Sequence, residues 1–277
     1  MGTRRIVMAV AISLAIASCS PSTHPAAQRP RPVHDELPAA LDNGGAGLTA
    51  ASPPGHVPPS LACRDRVHAT KRSLVIRMLP DGASGQWYDS VNGALRNEEY
   101  VTKWVVPFVD RHLRTIVTRK ARAIAGVSNG GYGAMLFAAK HAGLFAAAGG
   151  MSSNLDGVTD ATGAKFSGLR DADGSAFRAN HPIELVGRLA KTDLVLDIAD
   201  RCSSNDPAAL CPTQVVDAAF LMANRDFVAA VRAQNGRTAR LDYREDDAAH
   251  QWYWWSQQLR DHQLPFLLAR LAHPSKR

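Results

Sequence analysis

From residue 73 onward, short apolar runs stopped by turn residues alternate with longer stretches of helical spacing. No other feature of the chain restricts its fold as strongly, because each period, 2 or 3.6, admits only one kind of element. Residues 73–79 form an apolar run closed by Pro80, Asp81 and Gly82. Residues 97–113 put Tyr100, Trp104, Val105 and Phe108 on one side of a helix. Residues 121–127 read as a buried strand, and 129–141 as a helix rich in Ala, Met, Leu and Phe. Further strands are expected at 144–150, 194–199 and 239–243, with long helices at 214–233 and 251–271. Strands that alternate with helices of this length build right-handed crossovers, and so a mostly parallel sheet covered on both faces. The expected class is α/β.

The first nineteen residues have a different character. Arg4 and Arg5 precede an apolar stretch, residues 6–16, too short to span a bilayer and of the right length for the core of a signal peptide. Ile16-Ala17-Ser18-Cys19 resembles a bacterial lipobox, which implies a cut before Cys19 and lipid attachment to its sulfur. Residues 20–60 are rich in Pro, Ala, Gly and Ser and have little periodicity, as a tether would. The expected organisation is a signal peptide at 1–18, a lipid-anchored linker at 19–62 and one folded domain at 63–277. The protein would then be exported and meet the membrane through its lipid. Its net charge is +7, but basic residues such as Arg111, Arg114, Arg119, Lys120 and Arg122 are scattered. Nucleic-acid binders show basic runs interleaved with aromatics, so no nucleic-acid partner is expected. Cys202 and Cys211, nine positions apart, are candidates for a loop disulfide in an oxidising compartment. The chain has no CxxC or HxxxH pair, so neither a metal nor another cofactor is expected.

The chemistry is carried by Gly126-Val127-Ser128-Asn129-Gly130, a G-x-S-x-G that falls where the strand 121–127 gives way to the helix 129–141. A serine at such a bend is held in a strained turn with its hydroxyl above the sheet, and the flanking glycines let strand and helix pass closely. The bend also sets Ser128 at a helix N-terminus, where free N–H groups and the dipole favour a developing oxyanion. The N–H of Asn129 is the expected first donor. A hydroxyl needs a base at neutral pH. His250 follows the last strand and precedes Gln251-Trp252-Tyr253-Trp254-Trp255, which places it in a loop at the carboxyl edge of the sheet. Other histidines fit less well: His141 lies one helix too deep, His181 precedes Pro182, and His262 and His273 lie on or beyond the terminal helix. The acid that would orient His250 should follow the strand 194–199. Asp200 is the first candidate, with Asp206 in the same loop and Asp226 on the next helix as alternatives. Asp197 falls inside the strand.

Taken in order, Pro80-Asp81-Gly82, Trp87-Tyr88-Asp89-Ser90, Glu98-Glu99-Tyr100, Val106-Pro107-Phe108-Val109-Asp110, residues 123–134 and 145–156, and His250-x-Trp252-x-x-Trp255 resemble the esterase D family. That family includes S-formylglutathione hydrolases, feruloyl esterases and mycolyltransferases. The resemblance covers residues 70–271 and implies an α/β-hydrolase fold with Ser128 as nucleophile and His250 as base. Relatives place the acid after the strand matching 194–199, or, in mycolyltransferases, on the later helix near Asp226. Two departures stand out. The family usually has Met where Asn129 stands, which leaves the backbone N–H in place. Relatives also carry earlier strands and a Leu-Leu-His-Gly-type loop that supplies a second oxyanion donor, and residues 20–62 contain no such segment. The sheet is therefore expected to lack the family's first strands. Two functions are consistent with this sequence. One is an exported serine esterase or acyltransferase acting on a small-molecule, glycan or lipid ester. The other is a catalytically weak hydrolase-fold lipoprotein that serves as a cell-envelope binding module. Trp252, Tyr253, Trp254 and Trp255 are divided between cleft lining and helix packing. The sequence sets no oligomeric state.

Overall fold

The computed structural model describes residues 7–12, 75–78, 87–113, 115–155, 169, 173–200, 214–234 and 240–271; over 7–12, 75–78 and 214–218 the description is of the backbone alone. Six strands lie side by side, all parallel, in the order β2-β1-β3-β4-β5-β6. They are β1 (Val7–Ile12), β2 (Val75–Met78), β3 (Arg122–Val127), β4 (Ala147–Met151), β5 (Asp193–Ala199) and β6 (Leu241–Asp246). The expected α/β class is thus observed. Boundaries shift by a few residues. The strand predicted at 144–150 starts late because Leu144 is still in a turn, its N–H bonded to His141 O. The strand predicted at 239–243 runs on to Asp246, drawn out by its parallel register with β5 from Leu194↔Leu241 to Ala199↔Asp246.

The helices pack on both faces. α1 (Asn97–Glu99) passes through a π-helical stretch, Tyr100–Val105, into α2 (Val106–His112). α3 (Asn129–Lys140) follows β3 directly. α4 (Ser175–Ala179) leads to a 3₁₀ stretch at Pro182–Leu189, and α5 (Gln214–Arg232) precedes β6. The terminal helix predicted over 251–271 is α6 (Trp252–Gln258), a π turn at Leu259–Gln263, and α7 (Leu264–Arg270).

Alternation along each strand decides what each face buries. Ile124, Ala148, Leu194 and Leu196 point to the face covered by α3, where Tyr132, Met135, Leu136 and Phe137 join Trp87, Tyr100 and Phe227 in the larger core. Ala123, Ala125 and Val195 point the other way, against Phe266, Leu267 and Leu271 of the terminal segment. Val127, Met151 and Ala199, at the strands' carboxyl ends, meet Trp254 and Trp255 of α6. Of the aromatic run, Trp254 and Trp255 are therefore packed, while Trp252 and Tyr253 are exposed. Arg122 carries a charge into the first position of β3, where Asp110 of α2 pairs with it.

β1 bears on two of the expectations. Val7–Ile12, read from sequence as the core of a leader, is a strand paired with β2 from Val7↔Val75 and with β3 from Met8↔Arg122. It fills a position in the sheet that the segment 20–62 was not expected to fill. A cut before Cys19 would remove β1 from the sheet. Cys19, the linker 19–62, Cys202, Cys211 and Asp206 lie outside the described residues.

Candidate active site

Ser128 links β3 to α3 with φ 54° and ψ −120°. A non-glycine residue in that region is strained by about 1–3 kcal/mol, and such strain persists only where the surroundings hold it. Here the backbone of Ser128 is fully bonded. Its N–H donates to Met151 O at 2.8 Å, and its carbonyl accepts from Gly131 N at 3.0 Å, Tyr132 N at 3.2 Å and Asn154 N at 3.3 Å. The glycines after it allow the close packing. A Cβ at Gly131 would sit 2.0 Å from Ser153 Oγ, and one at Gly133 would sit 2.5 Å from Trp87 Cβ. The turn predicted from G-x-S-x-G is thus present, and residue 129 opens α3 as expected.

The strand order places this bend well. β2 and β1 lie on one side of β3, and β4, β5 and β6 follow on the other. The chain reverses its direction of growth beside the carboxyl end of β3, and crevices for ligands open at such points in parallel sheets.

His250 arrives in the loop after β6. Its Nε2 lies 3.2 Å from Ser128 Oγ, across 122 residues of sequence. That is hydrogen-bonding distance, and the hydroxyl can donate to Nε2 whenever that nitrogen carries no proton. Two aromatic rings hold the imidazole: Trp255 stands edge-on at 4.6 Å between centroids, and Phe220 of α5 is tilted at 5.5 Å. Trp255 in turn meets Trp252 edge-on at 5.2 Å, and Trp254 Nε1 donates to Asp246 Oδ2 at 3.1 Å. Of the histidines set aside in the sequence, His141 bonds Glu98 through Nε2 at 2.7 Å, and His262 is buried behind the sheet.

The acid is less simply placed. Asp200 ends β5 as expected, and its N–H extends the ladder to Asp246 O at 2.9 Å. Its Oδ1 is buried without a hydrogen-bond partner, and among the described residues no hydrogen bond joins its carboxylate to His250. Asp226 is on the exposed side of α5, beside Arg225, whose guanidinium pairs with Glu245. Asp197 lies inside β5 and bonds His262 instead. The sequence reading did not anticipate Ser152, which follows β4 with φ 43° and bonds through its N–H to Asp197 O at 2.8 Å. No local motif marks a bend of that kind. Among the described residues no group of His, Cys, Asp and Glu is arranged to hold a metal ion.

Known proteins share this architecture. A Mycobacterium tuberculosis protein named Esterase Rv1288 is 36% identical over 78 residues, which are 27% of this chain and 17% of that protein. The match thus spans under a fifth of the relative's length. Among solved structures, M. tuberculosis MPT51 (FbpC1) superposes with a TM-score of 0.59 at 19% identity, covering 73% of this chain and 79% of that one. An S-formylglutathione hydrolase from Agrobacterium tumefaciens gives a TM-score of 0.58 at 18% identity, covering 97% and 86%. At such identities the likeness is one of fold, and it agrees with the α/β-hydrolase architecture expected from the motifs. The Esterase family model matches residues 75–266, the span that holds the strained serine, the histidine facing it and five of the six strands, and the chain belongs to that family.

Proposed function

We propose that this protein cleaves or transfers carboxylic esters through an acyl-enzyme on Ser128. The observation that carries the reading is the 3.2 Å contact between His250 Nε2 and Ser128 Oγ, made at a bend where the serine backbone is held strained. His250 Nε2 takes the hydroxyl proton as Ser128 Oγ attacks the ester carbonyl, and the backbone N–H of Asn129 donates to the resulting oxyanion. Collapse expels the alcohol, which receives the proton from His250. Water, or an acceptor alcohol, then releases the acyl group by the same proton path in reverse. Asp200, at the end of β5, is the proposed acid, brought to His250 when substrate fills the site; apo contacts of this kind often tighten only in the complex. Trp252 and Tyr253, exposed next to Trp255, offer flat surfaces on which an aromatic acyl group or a sugar can stack.

Hydrolysis of short-chain p-nitrophenyl esters tests the reading. Ser128→Ala should lower kcat by about 10⁴-fold or more. An unchanged rate would overturn Ser128 as the nucleophile, and a folded wild type with no hydrolysis above background would favour the binding-module function. Export and lipidation at Cys19 rest on the Ile16-Ala17-Ser18-Cys19 string. They predict that labelled fatty acid enters the protein in cells and that Cys19→Ala abolishes the incorporation.

A further inference from the structure

Behind the sheet, on the face away from α3, three titratable side chains meet. They are Asp197 of β5, Asp242 of β6 and His262 of the π turn between α6 and α7. His262 is 5% exposed and Asp197 0%. His262 Nδ1 lies 2.6 Å from Asp197 Oδ1, and Nε2 lies 3.0 Å from Asp242 Oδ2. Gln263 Nε2, with two hydrogens, donates to Asp197 Oδ2 at 2.6 Å and shares its other hydrogen between Gly150 O at 3.2 Å and Val195 O at 3.4 Å. Gly149 leaves the space for this amide, since a Cβ there would stand 2.1 Å from Gln263 Oε1. The cluster fastens β4, β5, β6 and the terminal helix together.

Hydrogen counting gives the cluster a property of its own. A carboxylate only accepts, and a neutral imidazole carries one N–H. Two ring nitrogens that each face a carboxyl oxygen at bonding distance require two hydrogens, one more than a neutral imidazole and two carboxylates possess. Either His262 is an imidazolium or one carboxyl keeps its proton. Burial pushes the Asp197 carboxyl above its ordinary range, and Gln263 and His262 pull the other way. Asp246 adds repulsion from the end of β6. Arg244 Nε approaches Asp242 Oδ1 at 3.7 Å from β6, while Arg260 and Asp261, on the terminal helix, pair with each other at the surface.

Both members of the reacting pair hang from the elements this cluster joins. β6 runs into the His250 loop, and α6, the first part of the terminal helix, presents Trp255 to the imidazole. Asp197 O holds Ser152, and the preceding residue, Met151, holds Ser128 N. We infer that His262 is a positioning residue: its contacts to Asp197 and Asp242, closed by one shared extra proton, keep β6 and the terminal helix where His250 faces Ser128. The inference rests on the assignment of that pair as the reacting groups. Loss of that hydrogen in base leaves no donor between His262 and one of its two carboxylates. A carboxylate then faces a ring lone pair and the contact opens. His250 as a base needs only to be unprotonated, so it predicts loss of rate in acid alone, and an alkaline limb belongs to the cluster.

The experiment is the pH profile of kcat and KM for p-nitrophenyl butyrate, corrected for spontaneous hydrolysis, in wild type, His262→Gln and Asp242→Asn, with Ser128→Ala as control and circular dichroism to confirm folding. His262→Gln offers its two hydrogens from one nitrogen and not from two ring positions, so kcat at pH 7 should fall about tenfold to a hundredfold with KM nearly unchanged, as for a small misplacement of a reacting group. Asp242→Asn lets a neutral imidazole make both contacts, donating to Asp197 and accepting from the new amide. It should keep its rate at pH 7 and move the alkaline limb of the wild type outward by about one pH unit or more. A wild type without an alkaline limb, a limb that Asp242→Asn leaves in place, or a folded His262→Gln with wild-type kcat would overturn the inference. A Ser128→Ala protein that retains activity would instead overturn the assignment of the reacting pair.

Discussion

Glu98 shows how a buried charge is managed outside the reacting pair. Lys140 donates to its Oε2, His141 Nε2 bonds its Oε1, and Lys140 also reaches Asn180 Oδ1 at 2.8 Å. Burial alone would raise the carboxyl's pKa, but the bonds from His141 and Lys140 outweigh it and hold Glu98 below its ordinary range. A depressed acid contributes stability above its unfolded pKa, about 4.3, and that contribution is lost as pH falls through the lower folded value. Glu98→Gln should therefore destabilise the protein by about 1–3 kcal/mol at pH 7. Urea melts should show the gap to wild type closing below about pH 4. A gap independent of pH would mean that packing, and not charge, explains the effect. At this scale the sequence was most informative where a residue's role depends on its immediate neighbours. Ser128 could be read from the glycines on either side of it, and His250 from the strand before it. The partner of Asp197 could not be read, because it depends on which way a side chain in β5 faces and on a helix that returns 65 residues later.

Among the elements, the strand-to-helix unit β3–α3 was fully legible, because an apolar run, a turn and an Ala-rich helix follow one another without interruption. Its tightness makes a second prediction. Gly133→Ala puts a methyl group 2.5 Å from Trp87 Cβ, an atom fixed within the core, and overpacking of this kind costs about 1–3 kcal/mol. A thermal melt should show the drop, with the rate at 25 °C little changed in the folded fraction. The π stretches at Tyr100–Val105 and Leu259–Gln263 left no trace in the apolar pattern, since one extra residue per turn shifts the stripe by less than the reading can resolve. The second of them carries His262 and Gln263 and so aims both at β5. Local widening of a helix at a functional position is a recurrent use of that geometry.

Across the molecule, the sheet has β1 as an interior strand. The apolar run at the start of the chain satisfied two descriptions, a leader core and a buried strand, because both require a short stretch of Ala, Val and Ile without charge. Sequence periodicity does not separate them; in the sheet the run pairs with two parallel neighbours. Deleting residues 1–18 should part β2 from β3 and lower the melting temperature by roughly 10 °C or more. An unchanged melt would show that the sheet holds without β1. The larger architecture was otherwise readable in advance, because parallel α/β order follows from the alternation of elements alone. The pairing of residues 128 and 250 also followed, since both sit at carboxyl ends of strands in the same sheet.

The most direct measurement is covalent. A fluorophosphonate probe should label the folded wild-type protein, with the adduct mapped by mass spectrometry to Ser128. Labelling should vanish in Ser128→Ala and slow by about 10³-fold or more in His250→Ala, where the hydroxyl has lost its base. Adduct on a different residue, or equal labelling of wild type and His250→Ala, would contradict the account.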